Sequence, residues 1–202
     1  AVKSQSATFT VYGTLTLNSP VVPTDFNVMG TGPINWSAQG AVGGVEIVYS
    51  KDSAGGFPDA SFTGIIDAGP IAADWCDING DYTMSIPNDP AAEVKIRVRE
   101  IAFPDDVYCQ TQICSFKGNI LFNQGTTESQ TLVAGTQHMI SWTNVGDITN
   151  LKVSYIKNSD GQLREIDWSL AGTGDGVQSC PWTPGDDDVS SDIVFRVEDA
   201  AD

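Results

Sequence analysis

The stretch that decides the fold is Val45-Glu46-Ile47-Val48-Tyr49-Ser50-Lys51-Asp52-Ser53-Ala54-Gly55. It returns 106 residues later as Leu151-Lys152-Val153-Ser154-Tyr155-Ile156-Lys157-Asn158-Ser159-Asp160-Gly161. In both stretches apolar residues recur at every second position, which places alternate side chains on opposite faces of a β-strand. A turn with Lys, Ser and Gly at matching positions follows each strand. The chain therefore contains two copies of one β-rich unit.

Other landmarks keep the same order in both copies. Trp36 matches Trp142 at the same offset, and Ile96-Arg97-Val98 matches Phe195-Arg196-Val197 after deletions in the connecting loops. The first strand of the second copy is predicted near residues 114–122. Because the strand pattern persists while the connections vary in length, the repeated unit is a set of strands joined by loops.

The length of 202 residues suits two domains of about 100 residues each. No segment has the pattern of an amphipathic helix of ten or more residues, whereas the period of two recurs throughout. We therefore predict an all-β chain of two tandem immunoglobulin-like (fibronectin-III-like) β-sandwiches, with antiparallel sheets packed face to face. The predicted domains are residues 1–103 and 104–202.

Each copy has a tryptophan on an early strand and a tyrosine on the next one. In immunoglobulin-like sandwiches a buried Trp packs between the two sheets. We therefore expect Trp36 and Trp142, with Tyr49 and Tyr155, to anchor the two cores.

The repeat resembles the Ig-like repeats of bacterial surface proteins and the Knh-like Ser/Thr-rich Ig-like domain family of fungal cell-wall assembly. This resemblance implies a cell-surface or wall-associated module that supplies spacing and attachment and carries no catalytic residues. The second copy departs from the pattern, with Gln178 in place of Tyr82 and Cys180 in place of Met84. The residues that carry the resemblance are Trp36, Tyr49, Tyr82, Ile86, Pro87 and Arg97, then Trp142, Tyr155, Trp182, Pro184 and Arg196.

The charge balance excludes several classes of partner. The formal net charge is −16, with 26 Asp and Glu against 10 Lys and Arg. Nucleic acid and anionic membranes are therefore excluded, because each phosphate contact needs a cation. The sequence contains no run of 18 or more apolar residues that could span a bilayer. We expect a secreted or cell-surface protein whose partners are other copies of itself or neighbouring repeats of the same chain.

The four cysteines indicate an oxidising compartment, since the single His and the spacing of the cysteines do not suit zinc. One pairing joins Cys114 to Cys180, both placed inward in the second copy, and leaves Cys76 to reach Cys109. The alternative is a small loop from Cys109 to Cys114. Either arrangement predicts a structural disulfide.

A partial calcium motif follows Trp75. Asp77, Asn79 and Asp81 present oxygen ligands at positions one, three and five of a loop. The motif then fails, because position six is Tyr82 and position twelve is Asn88. We expect no cofactor, and Ca²⁺ bound at this loop is the alternative to a solvated Asx turn.

Two tryptophans outside the shared pattern could bind sugars. Trp75 and Trp168 lie in segments that differ between the copies, and aromatic rings stack on pyranose faces. They predict a carbohydrate-binding module, with cell-wall polysaccharide as its partner, as an alternative to the structural module.

The chain also has a long alternating N-terminal run, Ser6-Ala7-Thr8-Phe9-Thr10-Val11-Tyr12-Gly13. It is rich in β formers and has no charged residue. Such a strand could complete the sheet of a neighbouring molecule by β-augmentation. Alternatively, it is the first strand of its own domain.

Overall fold

The computed structural model describes residues 7, 10–123, 131–146, 148, 150–171 and 174–199, without the side chains of residues 167–171. The chain folds into two compact units of β-strands. Unit 1 comprises Ala1–Phe26, Gly30–Ile86 and Ala91–Phe116, and unit 2 comprises Asn27–Met29, Pro87–Pro90 and Lys117–Asp202. The predicted all-β fold of two tandem immunoglobulin-like sandwiches is confirmed.

The described part of unit 1 has one α-helix, one 3-10 helix (Asp59–Ser61) and two sheets. The first sheet has the order β1-β3-β6, and the second has the order β2-β9-β7-β4-β5, with β8 paired to β7. The elements are β1 (Thr14–Ser19), β2 (Asp25–Asn27), β3 (Thr31–Gln39), β4 (Gly44–Ser50), β5 (Gly64–Ala72), α1 (Trp75–Asn79), β6 (Tyr82–Ser85), β7 (Ala91–Glu100), β8 (Tyr108–Gln110) and β9 (Cys114–Lys117).

The described residues of unit 2 form two sheets of three strands, with the orders β10-β11-β14 and β13-β12-β15. The strands are β10 (Asn119–Phe122), β11 (His138–Val145), β12 (Asn150–Lys157), β13 (Leu163–Ala171), β14 (Gly176–Trp182) and β15 (Ile193–Asp199). No helix in the described part of the chain is long and apolar enough to cross a membrane.

The tryptophan at the matching repeat position of each unit lies in its core. Trp36 on β3 and Trp142 on β11 are both 0% exposed. Tyr49 and Tyr155 are also buried, on β4 and β12. Burying a Trp side chain removes about 150–250 Å² of surface from water, so these residues dominate the energetics of each core.

The strand register repeats between the units. Val48 lies opposite Arg97 in the pairing of β4 with β7, and Ser154 lies opposite Arg196 in the pairing of β12 with β15. The alternation seen in the sequence thus gives the same antiparallel pairs in both units.

The change from unit 1 to unit 2 falls at residues 116–117. The boundary predicted at 103–104 therefore lies inside unit 1. Residues 108–117, which the repeat placed partly in the second copy, form β8 and β9 and pair with β7. Their cross-strand hydrogen bonds to β7 attach them to the first sandwich.

Candidate functional site

A line of three aromatic rings runs from the core of unit 1 to its surface. The Trp36 ring lies 5.8 Å from the Tyr82 ring, and the Tyr82 ring lies 5.8 Å from the Trp75 ring at an edge-to-face angle of 77°. Trp75, the first residue of α1, is 37% exposed. Its contact with Tyr82 fixes the indole, so Trp75 presents a rigid, half-exposed aromatic surface.

Tyr82 also has a polar partner beside this line. Its hydroxyl donates a hydrogen bond to the Asp67 carboxylate on β5. Burial, together with the hydrogen bond and negative charge of Asp67, raises the pKa of Tyr82 to about 12. The phenol is therefore neutral at physiological pH and orients the Asp67 carboxylate.

Trp168, the second predicted sugar-binding residue, lies in β13 of unit 2. Its side chain is outside the described residues. Trp75 and Trp168 thus belong to elements of different units, and the aromatic surface described here is built from Trp75 and Tyr82.

The residues of the partial calcium motif are arranged differently from the prediction. Asp77 and Asn79 lie within α1, where residues two apart point to different sides of a helix. The Asn79 Nδ2 donates to the Trp75 carbonyl at 3.1 Å, and the Asp81 carboxylate accepts from Asn35 Nδ2 at 2.9 Å. Within the described ranges, no group of three or more His, Cys, Asp or Glu side chains could hold a metal ion.

None of the four cysteines forms a disulfide bond, so the predicted disulfides are absent from the structure. Cys114 lies on β9 of unit 1, 3.2 Å from the Val94 carbonyl, and not on the first strand of the second copy. Cys180 lies in the core of unit 2. The Cys76 thiol lies on α1, against the Ile34 carbonyl at 3.8 Å. The prediction assigned Cys114 to the wrong sandwich, and this removes the basis for pairing it with Cys180.

Burial controls the chemistry of these thiols. It raises the pKa of Cys76 and Cys114, and it raises the pKa of Cys109 to about 12. Because the thiolate is the reactive species, the three thiols of unit 1 are poor nucleophiles at neutral pH. They act as small apolar residues of the interior.

Arg97 forms a buried cluster that the sequence did not indicate. Its guanidinium lies between the Phe62 and Tyr108 rings, 3.7 and 3.8 Å from their centroids. It also donates to Gln110 Oε1 at 3.0 Å and pairs with the Asp59 carboxylate at 2.8 Å. The side chain is 1% exposed, while that of Asp59 is 52% exposed. We call Arg97, Phe62, Tyr108, Asp59 and Gln110 the arginine cluster.

The connection between β4 and β5 covers this arginine. Phe57 and Phe62 from that connection pack on Val48, which faces outward from β4. This connection is longer than its counterpart in unit 2 and contains two phenylalanines, and that was the sequence signal available for the cluster. The strand pattern alone predicts only that Arg97 lies on the face opposite Ile96 and Val98. The cluster holds the connection against the sheet and presents Asp59 to solvent.

No protein-family model matches the chain, and no curated protein matches its sequence. Two of the solved structures that match the chain align with most of it at low similarity. One is from the structures of the fibronectin(III)-like modules of Clostridium thermocellum CbhA, with 12% identity, 90% of each chain covered and a TM-score of 0.26. The other is the crystal structure of Rst D1-D2, with 12% identity, 94% of this chain and 93% of that chain covered and a TM-score of 0.30. The strand pairing within each unit establishes the fold.

Proposed function

We propose that this chain is a non-catalytic structural module of an extracellular protein, as part of a surface protein, stalk or filament. The observation that supports this most is that each unit encloses its own core around its own tryptophan. Serial sandwiches with separate cores can space or connect other parts of an assembly without needing a ligand. The net charge of −16 keeps such a chain soluble and away from nucleic acid and anionic lipid.

The proposed partners are other copies of the chain or neighbouring repeats of a longer one. No cofactor is proposed for this role, and the wall-associated function follows the resemblance to Knh-like Ig-like repeats. The proposed location is secreted or at the cell surface.

Immunogold electron microscopy of the source cells tests this function. An antibody raised against the 202-residue chain should label the outer surface or extracellular filaments. Preimmune serum is the control. Label confined to the cell interior would contradict the proposal.

A carbohydrate-binding module is the second candidate, and Trp75 is the observation that favours it. Its indole is 37% exposed and fixed against Tyr82, whose hydroxyl donates to the Asp67 carboxylate. Stacking on a sugar ring would change the fluorescence of Trp75. Titration with cell-wall polysaccharides should then give a saturable change that Trp75→Ala removes, whereas a spacer gives none.

Calcium-dependent adhesion is a variant of the same role, with Asp77, Asn79 and Asp81 as its predicted ligands. A metal bound by the folded state raises the melting temperature in proportion to the logarithm of its concentration. Thermal unfolding with Ca²⁺ and then with chelator tests it. An unchanged Tm would remove this variant.

A further inference from the structure

The last strand of unit 2 differs from its counterpart in unit 1. In unit 1, β7 pairs with β4 along one edge and with β8 and β9 along the other. In unit 2, β15 pairs with β12 along one edge. No described residue pairs with Ile193–Glu198 along the opposite edge. Alternate backbone N–H and C=O groups of this segment therefore face outward without a strand partner.

The open edge is accompanied by incomplete burial of the core. Ile96 and Val98 of β7 are 0% exposed, and the buried side chains Cys109 and Phe116 lie on the strands beside them. Their counterparts Phe195 and Val197 pack against the core of unit 2 but are only partly buried. A strand added beside β15 would cover them and remove more of their apolar surface from water.

The N-terminal run has the sequence of such a strand. In an extended conformation Ala7, Phe9 and Val11 lie on one face, and Thr8 and Thr10 on the other. Val11 is 82% exposed and precedes β1, which begins at Thr14. Val11 therefore contributes nothing to the core of its own unit. The run carries no charge, so it can approach a strongly acidic neighbour without direct repulsion.

We propose that residues 6–11 of one copy pair as an antiparallel strand with the open edge of β15 in a second copy. Phe9 and Val11 would cover Phe195 and Val197, as β8 and β9 cover β7 in unit 1. This inference rests on the proposed structural function and gives it a mode of assembly. Since each copy has both the donor segment and the open edge, the contact is heterologous and extends into a chain of molecules.

Sedimentation and hydrogen–deuterium exchange on the 202-residue chain test this pairing. We expect the mean mass to rise with protein concentration, and the amides of residues 193–198 to exchange more slowly over the same range. The effect should strengthen with added NaCl, because salt screens repulsion between copies of charge −16.

Val11→Asp is the informative variant, and Thr10→Asp is its matched control. Both side chains are exposed, so neither substitution should change the Tm. Val11→Asp puts a charge on the face that would cover the core and should abolish both the mass increase and the amide protection. Thr10→Asp puts the same charge on the other face and should retain most of both.

Four results would overturn the proposal. The first is a chain that stays monomeric at all concentrations, and the second is assembly without slower amide exchange in β15. The third is an equal loss of assembly and amide protection in Val11→Asp and Thr10→Asp. The fourth is amide protection of β15 that does not depend on protein concentration. The last result would place the segment on its own chain. A monomeric chain that is still labelled at the cell surface overturns the strand pairing alone. A chain found inside cells overturns the proposed function, whatever its mass.

Discussion

Arg97 and Arg196 occupy the same position in the two copies, opposite Val48 in one and Ser154 in the other. Arg97 is 1% exposed within the arginine cluster, whereas Arg196 is 55% exposed and pairs with Glu198 on its own strand. The difference in burial comes from the connection between two neighbouring strands. In unit 1 it joins β4 to β5 (residues 51–63), and in unit 2 it joins β12 to β13 (residues 158–162). A strand pattern thus sets the face on which a side chain lies, and the length of a neighbouring loop sets its burial.

The largest effects on stability should come from the buried core tryptophan that both units share. Trp36→Ala and Trp142→Ala should each destabilise the unit concerned by about 3–5 kcal/mol, because each leaves a large cavity in a core. Differential scanning calorimetry should show one transition lowered in each variant. Trp75→Ala, which removes a ring that is 37% exposed, is the control with a smaller shift. Equal loss of both transitions in either variant would show that the cores are not separate.

Arg97 and Arg196 should differ sharply in how much each contributes to the stability of its unit. Arg97→Ala should cost unit 1 about 3 kcal/mol, because it removes packing between two rings and leaves a cavity under the connection. Arg196→Ala should change the stability of unit 2 by less than about 0.5 kcal/mol, as expected for an exposed ion pair. Chemical denaturation measures both. Similar losses would show that burial by the connection does not explain the difference.

Both units also have a tyrosine bonded to an aspartate, Tyr82 with Asp67 and Tyr155 with Asp188. Burial is the first cause that raises the pKa of each tyrosine to about 12, followed by the bonded carboxylate. The neutral phenol is thus favoured in the folded state. This stabilisation is complete below the unfolded pKa of about 10 and is lost as pH rises through about 12.

Denaturation at a series of pH values measures this loss. Tyr82→Phe and Tyr155→Phe should each cost about 1.5 kcal/mol at neutral pH, the value of a hydrogen bond to a charged group. The double variant should lose less stability between pH 10 and 12 than the parent chain. An unchanged slope would show that these tyrosines titrate alike in the folded and unfolded states.

A modest stabilising effect should come from a change at the residue opposite Arg196. The buried Ser154 Oγ has no hydrogen-bond partner among the described residues, whereas Val48 at the same position in unit 1 is apolar. Ser154→Val should therefore stabilise unit 2 by about 1 kcal/mol, because a buried hydroxyl without a partner is replaced by methyl groups. Thermal unfolding measures the change. A lower Tm would indicate that Ser154 has a partner in the folded protein.

The sequence predicted the strands better than the site residues. The alternation in residues 45–50 and 151–156 predicted β4 and β12, because a period of two has a direct geometric meaning in a sheet. The pairing of Cys114 with Cys180 failed because it assumed that Cys114 begins the second copy. Contacts over long sequence separations decide that assignment, and no local pattern records them. The sequence also did not predict that Asp77 and Asn79 of the calcium motif lie in α1. A helix of five residues is too short to show a clear helical periodicity of apolar residues.

The sequence by itself determined that the chain consists of two β-rich copies, each with a tryptophan that must be buried, because alternation and internal repetition are local properties of a chain. The tertiary structure decided which sandwich residues 108–117 complete, that the connection in unit 1 covers Arg97, and that β15 keeps an open edge among the described residues. These features depend on which strands meet across a sheet, and that is settled by packing between residues far apart in sequence.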